Sequence, residues 1–140
     1  LFSGNPQTLS VITCNLSRKE KPLYPAEQRK LFSSYPDIPA FDVFIMLIQE
    51  LLAEKVCALM TRNKARDVYD VWFLLHKGAR IDVKDIDRKL KKYNLHFSLP
   101  LFKSKMDEKE GYWKTDLQGL IIGGLPAFEV VKNEIVEQIN

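Results

Sequence analysis

The stretch that decides the fold is residues 54–72, which read Glu54-Lys55-Val56-Cys57-Ala58-Leu59-Met60-Thr61-Arg62-Asn63-Lys64-Ala65-Arg66-Asp67-Val68-Tyr69-Asp70-Val71-Trp72. Charged residues recur here at helical spacings inside an otherwise apolar sequence. Lys55 and Arg62 are seven positions apart, so both lie on one face of a helix, two turns from each other. Asp67 and Asp70 are three apart and also share a face. Two packed helices that carry these groups predict a polar cluster, of the kind that handles phosphates and metals.

The pattern around this stretch predicts two consecutive helices. Apolar residues at positions 47, 48, 51, 52, 56 and 59 indicate a helix over residues 47–61 with a wide buried stripe. Asn63 is a suitable N-cap for a second helix over residues 64–77, which Gly78 would end. We expect Lys55 and Asp67 to face one shared cleft between these helices.

The residues before position 47 favour strands rather than helices. Residues 8–17 are rich in β-branched side chains and predict a strand. Residues 18–39 contain four prolines and predict a long irregular connection, with at most a short helix at 26–33. Residues 41–46 predict a second strand or the entry to the first helix. The chain begins at Leu1 without a methionine, and we expect it to be part of a larger protein.

The remainder of the chain predicts further helices. Asp82 or Asp85 is expected to open a helix that runs to about Tyr93, with Ile86 and Leu90 facing inward. The charged run at residues 84–92, including Lys89, Lys91 and Lys92, is predicted to be a solvated face. Weaker patterns predict helices at 99–110 and 113–122, a break at 123–126, and a final amphipathic helix at 127–139. The predicted fold is therefore α+β, with a β-containing remnant in residues 1–46 and a helical domain in residues 47–140.

Composition sets loose limits on function. The chain has 140 residues, 46% of them hydrophobic, which suits one globular domain or a small domain fragment plus a helical domain. Its net charge of +3 does not by itself imply nucleic acid. Cys14 and Cys57 lie in apolar surroundings without a Cys-x-x-Cys motif, so they favour reduced thiols and a cytoplasmic location. His76 and His96 are isolated, so no metal-ligand spacing is present.

The motif Leu51-Leu52-Ala53-Glu54-Lys55-x-x-Ala58-Leu59-x-x-Arg62-x-Lys64-Ala65-Arg66-Asp67-x-Tyr69-Asp70-x-Trp72-x-Leu74-Leu75 resembles the signature of the AbiEii/AbiGii toxin family, in its C-terminal portion. These are nucleotidyltransferase-like proteins of abortive-infection and type IV toxin–antitoxin systems. The strand-like residues 41–46 and Trp113 also resemble features of that family. Leu47 departs from it, because the family often has a Ser or Thr cap before this helix.

The resemblance selects between alternatives that spacing leaves open. Lys55 is either a charge for a nucleotide phosphate or a lysine that snorkels along the helix shoulder, and the resemblance implies the first. Asp67 either meets the N-terminus of its helix or belongs to the active site, and Asp70 either pairs with Arg66 or supports the site. The resemblance implies catalytic roles for Lys55 and Asp67. Arg62, Lys64 and Arg66 suit a nucleoside triphosphate or an RNA, although they also suit a basic turn paired with Glu54 or Asp70.

The same resemblance raises a question about activity. Nucleotidyltransferases of this type carry Gly-Gly or Gly-Ser followed by Asp-x-Asp on early strands, where two carboxylates bind Mg²⁺. We find no such motif here, and Gly123-Gly124 comes too late. We therefore expect nucleotide transfer to RNA or protein only if an upstream segment supplies Asp-x-Asp, and no transfer by this chain alone. The alternative is a non-catalytic helical module that binds a partner protein or an antitoxin.

Overall fold

The structure, a computed structural model, describes residues 21–139. In this part of the chain a two-stranded antiparallel sheet precedes six α-helices, so the predicted α+β class is confirmed. The elements are β1 (Glu27–Leu31), β2 (Phe41–Ile45), α1 (Ile48–Thr61), α2 (Arg66–His76), α3 (Val83–Leu90), α4 (Leu99–Asp107), α5 (Trp113–Leu117) and α6 (Phe128–Glu137). Single 3-10 turns lie at Lys91–Tyr93 and Glu110–Tyr112. The strand predicted at residues 8–17, with Cys14, lies outside the described residues.

The sheet is a hairpin in which Glu27 pairs with Ile45 and Leu31 pairs with Phe41. β2 confirms the strand predicted at residues 41–46. β1 contradicts the irregular connection or short helix predicted there. The strand was not predicted because its sequence, Glu-Gln-Arg-Lys-Leu, has no apolar alternation. Its order comes from hydrogen bonds to β2, which sequence periodicity does not reveal.

The core lies among the helices, with α1 at its centre. α1 packs against α2, α3 and α4, while α2 also packs against α5 and α6. The side chains of Leu52, Val56 and Leu59 are buried on α1, as the predicted stripe requires. Trp113 and Phe128 meet edge to face, with their ring centroids 5.4 Å apart, and join the C-terminal helices to this core.

The junction between α1 and α2 differs from the prediction in one respect. Both helices are present, but Asn63 does not cap α2. Its N-cap is Ala65, whose backbone N–H donates to Asp116 Oδ2 at 3.0 Å. Gly78 follows α2 with a φ of 87°, a conformation in which glycine is favoured, so the predicted end of this helix is confirmed.

Later elements follow the predicted pattern with shorter helices. Asp82 caps α3 by accepting from the backbone N–H groups of Lys84 and Asp85, and Ile86 and Leu90 are buried as predicted. Lys89, on the predicted solvated face, is instead buried, because its ammonium donates to Glu50 and Glu54 of α1. Within residues 21–139 no helix is both long and apolar enough to cross a bilayer.

Candidate functional site

Lys55 reaches from α1 to α2 and pairs with Asp70. The Lys55 Nζ lies 2.6 Å from Asp70 Oδ2, and the two side chains are 30% and 36% exposed. Water therefore reaches both groups, and an ion pair of this kind contributes about 0–1 kcal/mol to stability. The Lys55 ammonium is thus accessible and can exchange its carboxylate partner for another anion at little cost.

Arg62 makes the second contact between the same two segments, and it is of a different kind. Its Nε donates to Asp67 Oδ2 at 2.7 Å and its Nη2 donates to Asp67 Oδ1 at 2.6 Å. Asp67 is fully buried, whereas the Arg62 side chain is 48% exposed. The hydrogen bonds that Arg62 donates to this carboxylate raise the pKa of Arg62 above its already high value. The pair fixes the plane of the guanidinium and leaves its remaining N–H donors toward solvent.

The other predicted cations do not take part in these two ion pairs. Lys64 and Arg66 are exposed at the start of α2, and among the described residues neither side chain has a carboxylate partner. Of the alternatives that spacing left open, the pairing of Arg66 with Asp70 does not occur, because Lys55 reaches Asp70 across the two helices instead. The alternative pairing of an arginine with Glu54 does not occur among the described residues either, since Glu54 accepts from Lys89.

A small pocket adjoins Arg62. It has a volume of about 180 Å³ and lies between the C-terminal half of α1 and the 3-10 turn that follows α3. Its lining consists of Glu54, Cys57, Ala58, Thr61, Arg62 and Tyr93. Arg62 therefore borders a concave surface on one side while Asp67 holds it on the other.

Comparison with known families agrees with the resemblance of the sequence. The family described as "Nucleotidyl transferase AbiEii toxin, Type IV TA system" matches residues 5–134. The chain belongs to the AbiEii toxin family. No curated protein and no solved structure matches it.

A buried ionic cluster in this AbiEii chain was not predicted. Lys89 of α3 donates to Glu50 at 2.7 Å and to Glu54, both on α1. Glu50 also accepts from the backbone N–H groups of Leu23 and Tyr24, at 2.6 and 3.1 Å. Burial opposes ionisation of Glu50, but the hydrogen bonds from Lys89 and the two amides outweigh it, so its pKa is lowered. The signal was available, because Lys89 follows Ile86 by three positions and therefore lies on the inward face of α3.

Lys109 is a second buried lysine that the sequence did not single out. Its Nζ donates to the backbone carbonyl of Lys105 at 2.7 Å, and burial lowers its pKa. The 3-10 turn that begins one residue later leads into α5. Lys109 therefore satisfies a carbonyl in the last turn of α4 rather than presenting a charge at the surface.

The Mg²⁺ that the AbiEii family implies does not fit the described residues. Within residues 21–139 no group of three or more His, Cys, Asp or Glu side chains could hold a metal ion. Both oxygens of Asp67 accept from Arg62. Asp85-Ile86-Asp87 has Asp-x-Asp spacing but lies on a helix, where Asp85 accepts from Tyr24 and Asp87 accepts from the Phe97 N–H.

Proposed function

We propose that this AbiEii chain binds the polyphosphate of a nucleoside triphosphate with Lys55 and Arg62, within a protein that transfers a nucleotide to RNA or to a protein. The observation that carries the proposal is that two partly exposed cations, Lys55 and Arg62, each pair with an aspartate of α2. Arg62 is the residue that follows the last turn of α1, seven positions after Lys55, which corresponds to about 10 Å along the helix axis. A chain of phosphates can lie along such a row, whereas a single carboxylate ligand would contact only one of the cations.

Lys55 is the residue that exchanges partners in this proposal. Its ion pair with Asp70 contributes at most about 1 kcal/mol, and a charge-assisted hydrogen bond to phosphate contributes roughly 1.5–3 kcal/mol where water is partly excluded. Asp70 supports the site by holding the ammonium in place until the phosphate arrives.

Arg62 acts as a pre-oriented phosphate donor. Asp67 takes two of its N–H groups, and the guanidinium carries five in all, so donors remain for the ligand. Asp67, predicted to be catalytic, is in this arrangement a positioning residue that works through Arg62. Lys64 and Arg66, exposed beside it, supply further positive charge to the phosphates.

The transfer step requires carboxylates for Mg²⁺ that the described residues do not offer. We propose transfer for a protein in which an upstream segment supplies an Asp-x-Asp pair, and we expect the 140-residue chain to transfer no label from a triphosphate by itself. A cytoplasmic location and a role in abortive infection belong to the same proposal.

The test is an NMR titration of the chain with each of the four ribonucleoside triphosphates. We expect salt-sensitive binding with a Kd on the order of 0.1–1 mM, because binding entropy offsets much of the gain from the contacts. Lys55→Ala is expected to weaken it severalfold. The matched control is Lys132→Ala, since Lys132 also forms a partly exposed ion pair between two helices, with Asp107. Equal effects of the two variants would show diffuse electrostatics and overturn the proposal.

A second candidate is a module that binds an antitoxin or another partner protein. The observation that favours it is the exposure of large apolar side chains on the hairpin and its loop, including Phe32 at 79% and Phe44 at 74%. Calorimetric titration with a candidate antitoxin protein tests it. Binding that is lost in Phe44→Ser and retained in Lys55→Ala would support this candidate over the first.

A further inference from the structure

A cleft of about 830 Å³ lies between the turn that precedes α5 and the start of α6, and we call it the α5–α6 cleft. Its apolar lining comes from Trp113, Leu125, Pro126, Ala127 and Phe128. None of the residues that line it belongs to the Lys55–Asp70 or the Arg62–Asp67 pair. Its volume lies within the range of small-molecule binding sites.

The two walls of the α5–α6 cleft are fixed to each other. The Trp113 indole N–H donates to the Pro126 carbonyl at 2.9 Å, which joins α5 to the segment before α6. The Trp113 ring also meets the Phe128 ring edge to face, and both residues are buried. Because the indole N–H and this carbonyl already satisfy each other, the floor of the cleft offers a ligand chiefly apolar surface.

Side chains at the edge of the cleft determine which charge a ligand can carry. The charged residues that line it are two carboxylates, Glu110 and Glu129, and the ammonium of Lys114. Among the described residues, Glu110 forms no ion pair, and Glu129 makes a long contact of 3.8 Å to Lys132 and is 59% exposed. Both carboxylates are therefore accessible to a bound cation.

Lys132 does not neutralise these two carboxylates, because its shorter contact is with Asp107. The hydrogen bond to Asp107 raises the pKa of Lys132, and the negative charges of Glu129 and Glu110 raise it further. Three carboxylates thus converge on Lys132, which leaves an excess of negative charge beside the cleft.

We propose that the α5–α6 cleft binds a small organic cation, a primary amine with an aromatic or aliphatic body. The body lies against the apolar floor, and the ammonium donates hydrogen bonds to Glu110 and Glu129. An apolar anion would meet the same floor but face two carboxylates at the edge, with only Lys114 to pair with among the lining residues. A polyphosphate is disfavoured for the same reason, so this site goes beyond the proposed triphosphate binding at Lys55 and Arg62.

The experiment is an NMR titration of the isotope-labelled chain with three probes that share one phenylethyl body. Phenethylamine carries a positive charge, hydrocinnamamide is neutral and hydrocinnamate carries a negative charge. The chain has two tryptophans, so their indole N–H signals report separately on Trp113 in the cleft and on Trp72 outside it. We expect the amine to shift the Trp113 signal and to bind about fivefold more tightly than the amide, a gain typical of partly exposed ion pairs.

The variant that tests the charges is Glu110→Gln/Glu129→Gln, in which the amine is expected to bind only as tightly as the amide. Its matched control is Glu108→Gln/Glu137→Gln, which removes the same charge from exposed residues that do not line the cleft. Circular dichroism checks that both variants are folded.

A preference for the amine that is retained in the control and lost in the Glu110→Gln/Glu129→Gln variant supports the inference. Equal affinities for the amine and the anion, or a Trp113 signal that no probe shifts, would overturn it. Equal losses of preference in both variants, or a preference that survives in both, would also overturn it. These outcomes are separate from the proposed function, because Lys55→Ala is expected to leave the affinity for the amine unchanged.

Discussion

Lys55 and Arg62 illustrate how exposure decides what an ion pair contributes. Both cations reach an aspartate from α2, at the same N–O distance of 2.6 Å. Asp70 is 36% exposed, whereas Asp67 is fully buried and accepts two hydrogen bonds. Loss of Lys55 returns Asp70 to water, but loss of Arg62 leaves a buried carboxylate without its partner.

The first prediction compares these two residues. Arg62→Ala is expected to lower the free energy of unfolding by about 3 kcal/mol, because removal of one partner strands a buried charge. Lys55→Ala is expected to change it by less than about 1 kcal/mol. Urea denaturation followed by circular dichroism measures both. Similar losses would contradict this reading, and Lys55→Ala would then no longer be a clean functional variant.

The second prediction concerns Glu50 and pH. Its pKa is lowered in the folded state from an ordinary value of 4.5, so its ionised form contributes stability above that value and the contribution is lost as the pH falls below it. Glu50→Gln is expected to cost about 2 kcal/mol at pH 7, through weaker hydrogen bonds to Lys89 and two amides. Thermal unfolding between pH 7 and pH 3 should show the cost shrinking below about pH 4.5. Glu129→Gln is the control, since Glu129 lies exposed in the first turn of α6. A cost that stays constant over this range would rule out the linkage.

At the scale of elements, α2 depends on a distant side chain for its start. Helix N-termini have backbone N–H groups without partners inside the helix, and a neighbouring residue usually satisfies one of them. Here Asp116, 51 positions later, accepts from the Ala65 N–H. The Arg62–Asp67 pair lies at this same junction, so its geometry relies on α5.

The third prediction tests this cap. Asp116→Ala is expected to destabilise the protein by about 1 kcal/mol, as is Asp82→Ala at the start of α3. Asn63→Ala is expected to be neutral, because Asn63 makes no capping hydrogen bond. Midpoints in urea measure all three. If Asn63→Ala lowered the stability as much as Asp116→Ala, Asn63 would be the N-cap of α2, as the sequence predicts.

These cases also show which features of the elements can be predicted. Apolar periodicity located α1 and α2 to within about two residues, because burial of one helix face is a local pattern. β1 could not be found this way, since its partner and not its own sequence orders it. The Asp116 cap and the partners of Lys89 join residues far apart in sequence, and only the packing of the helices reveals them. The cationic residues of the candidate site were found because they stand at helical spacings, but their actual partners were not.

For the molecule as a whole, the apolar interior and the hairpin are different environments. The strands contact chiefly each other, and Glu50 ties the segment before them to α1 through the N–H groups of Leu23 and Tyr24. Tyr24 adds a hydrogen bond to Asp85 of α3 at 2.8 Å. Polar contacts therefore attach the start of the described chain to the helices.

The fourth prediction compares a buried residue of the helical core with an exposed residue of the hairpin. Phe102→Ala is expected to cost about 3–5 kcal/mol, because Phe102 is fully buried and its loss leaves a cavity. Phe44→Ser is expected to change stability by less than about 0.5 kcal/mol, since Phe44 is 74% exposed. Thermal unfolding measures both. A large loss in Phe44→Ser would mean that the hairpin is buried in solution.

The contacts that hold α2 also determine when this region can form during synthesis. Asp116 accepts from the backbone N–H of Ala65 at the start of α2. Near the end of this helix, Glu134 accepts from the indole N–H of Trp72 at 2.6 Å. The ribosome adds about 5–20 residues per second, so both partners are synthesised several seconds after the residues of α2. The cations beside α2 reach their final arrangement only after Asp116 and Glu134 have been synthesised. A nascent chain of this design would bring Lys55 and Arg62 to their final geometry only after the ribosome has added the partners of α2, which lie 51 and 62 positions beyond the residues they contact.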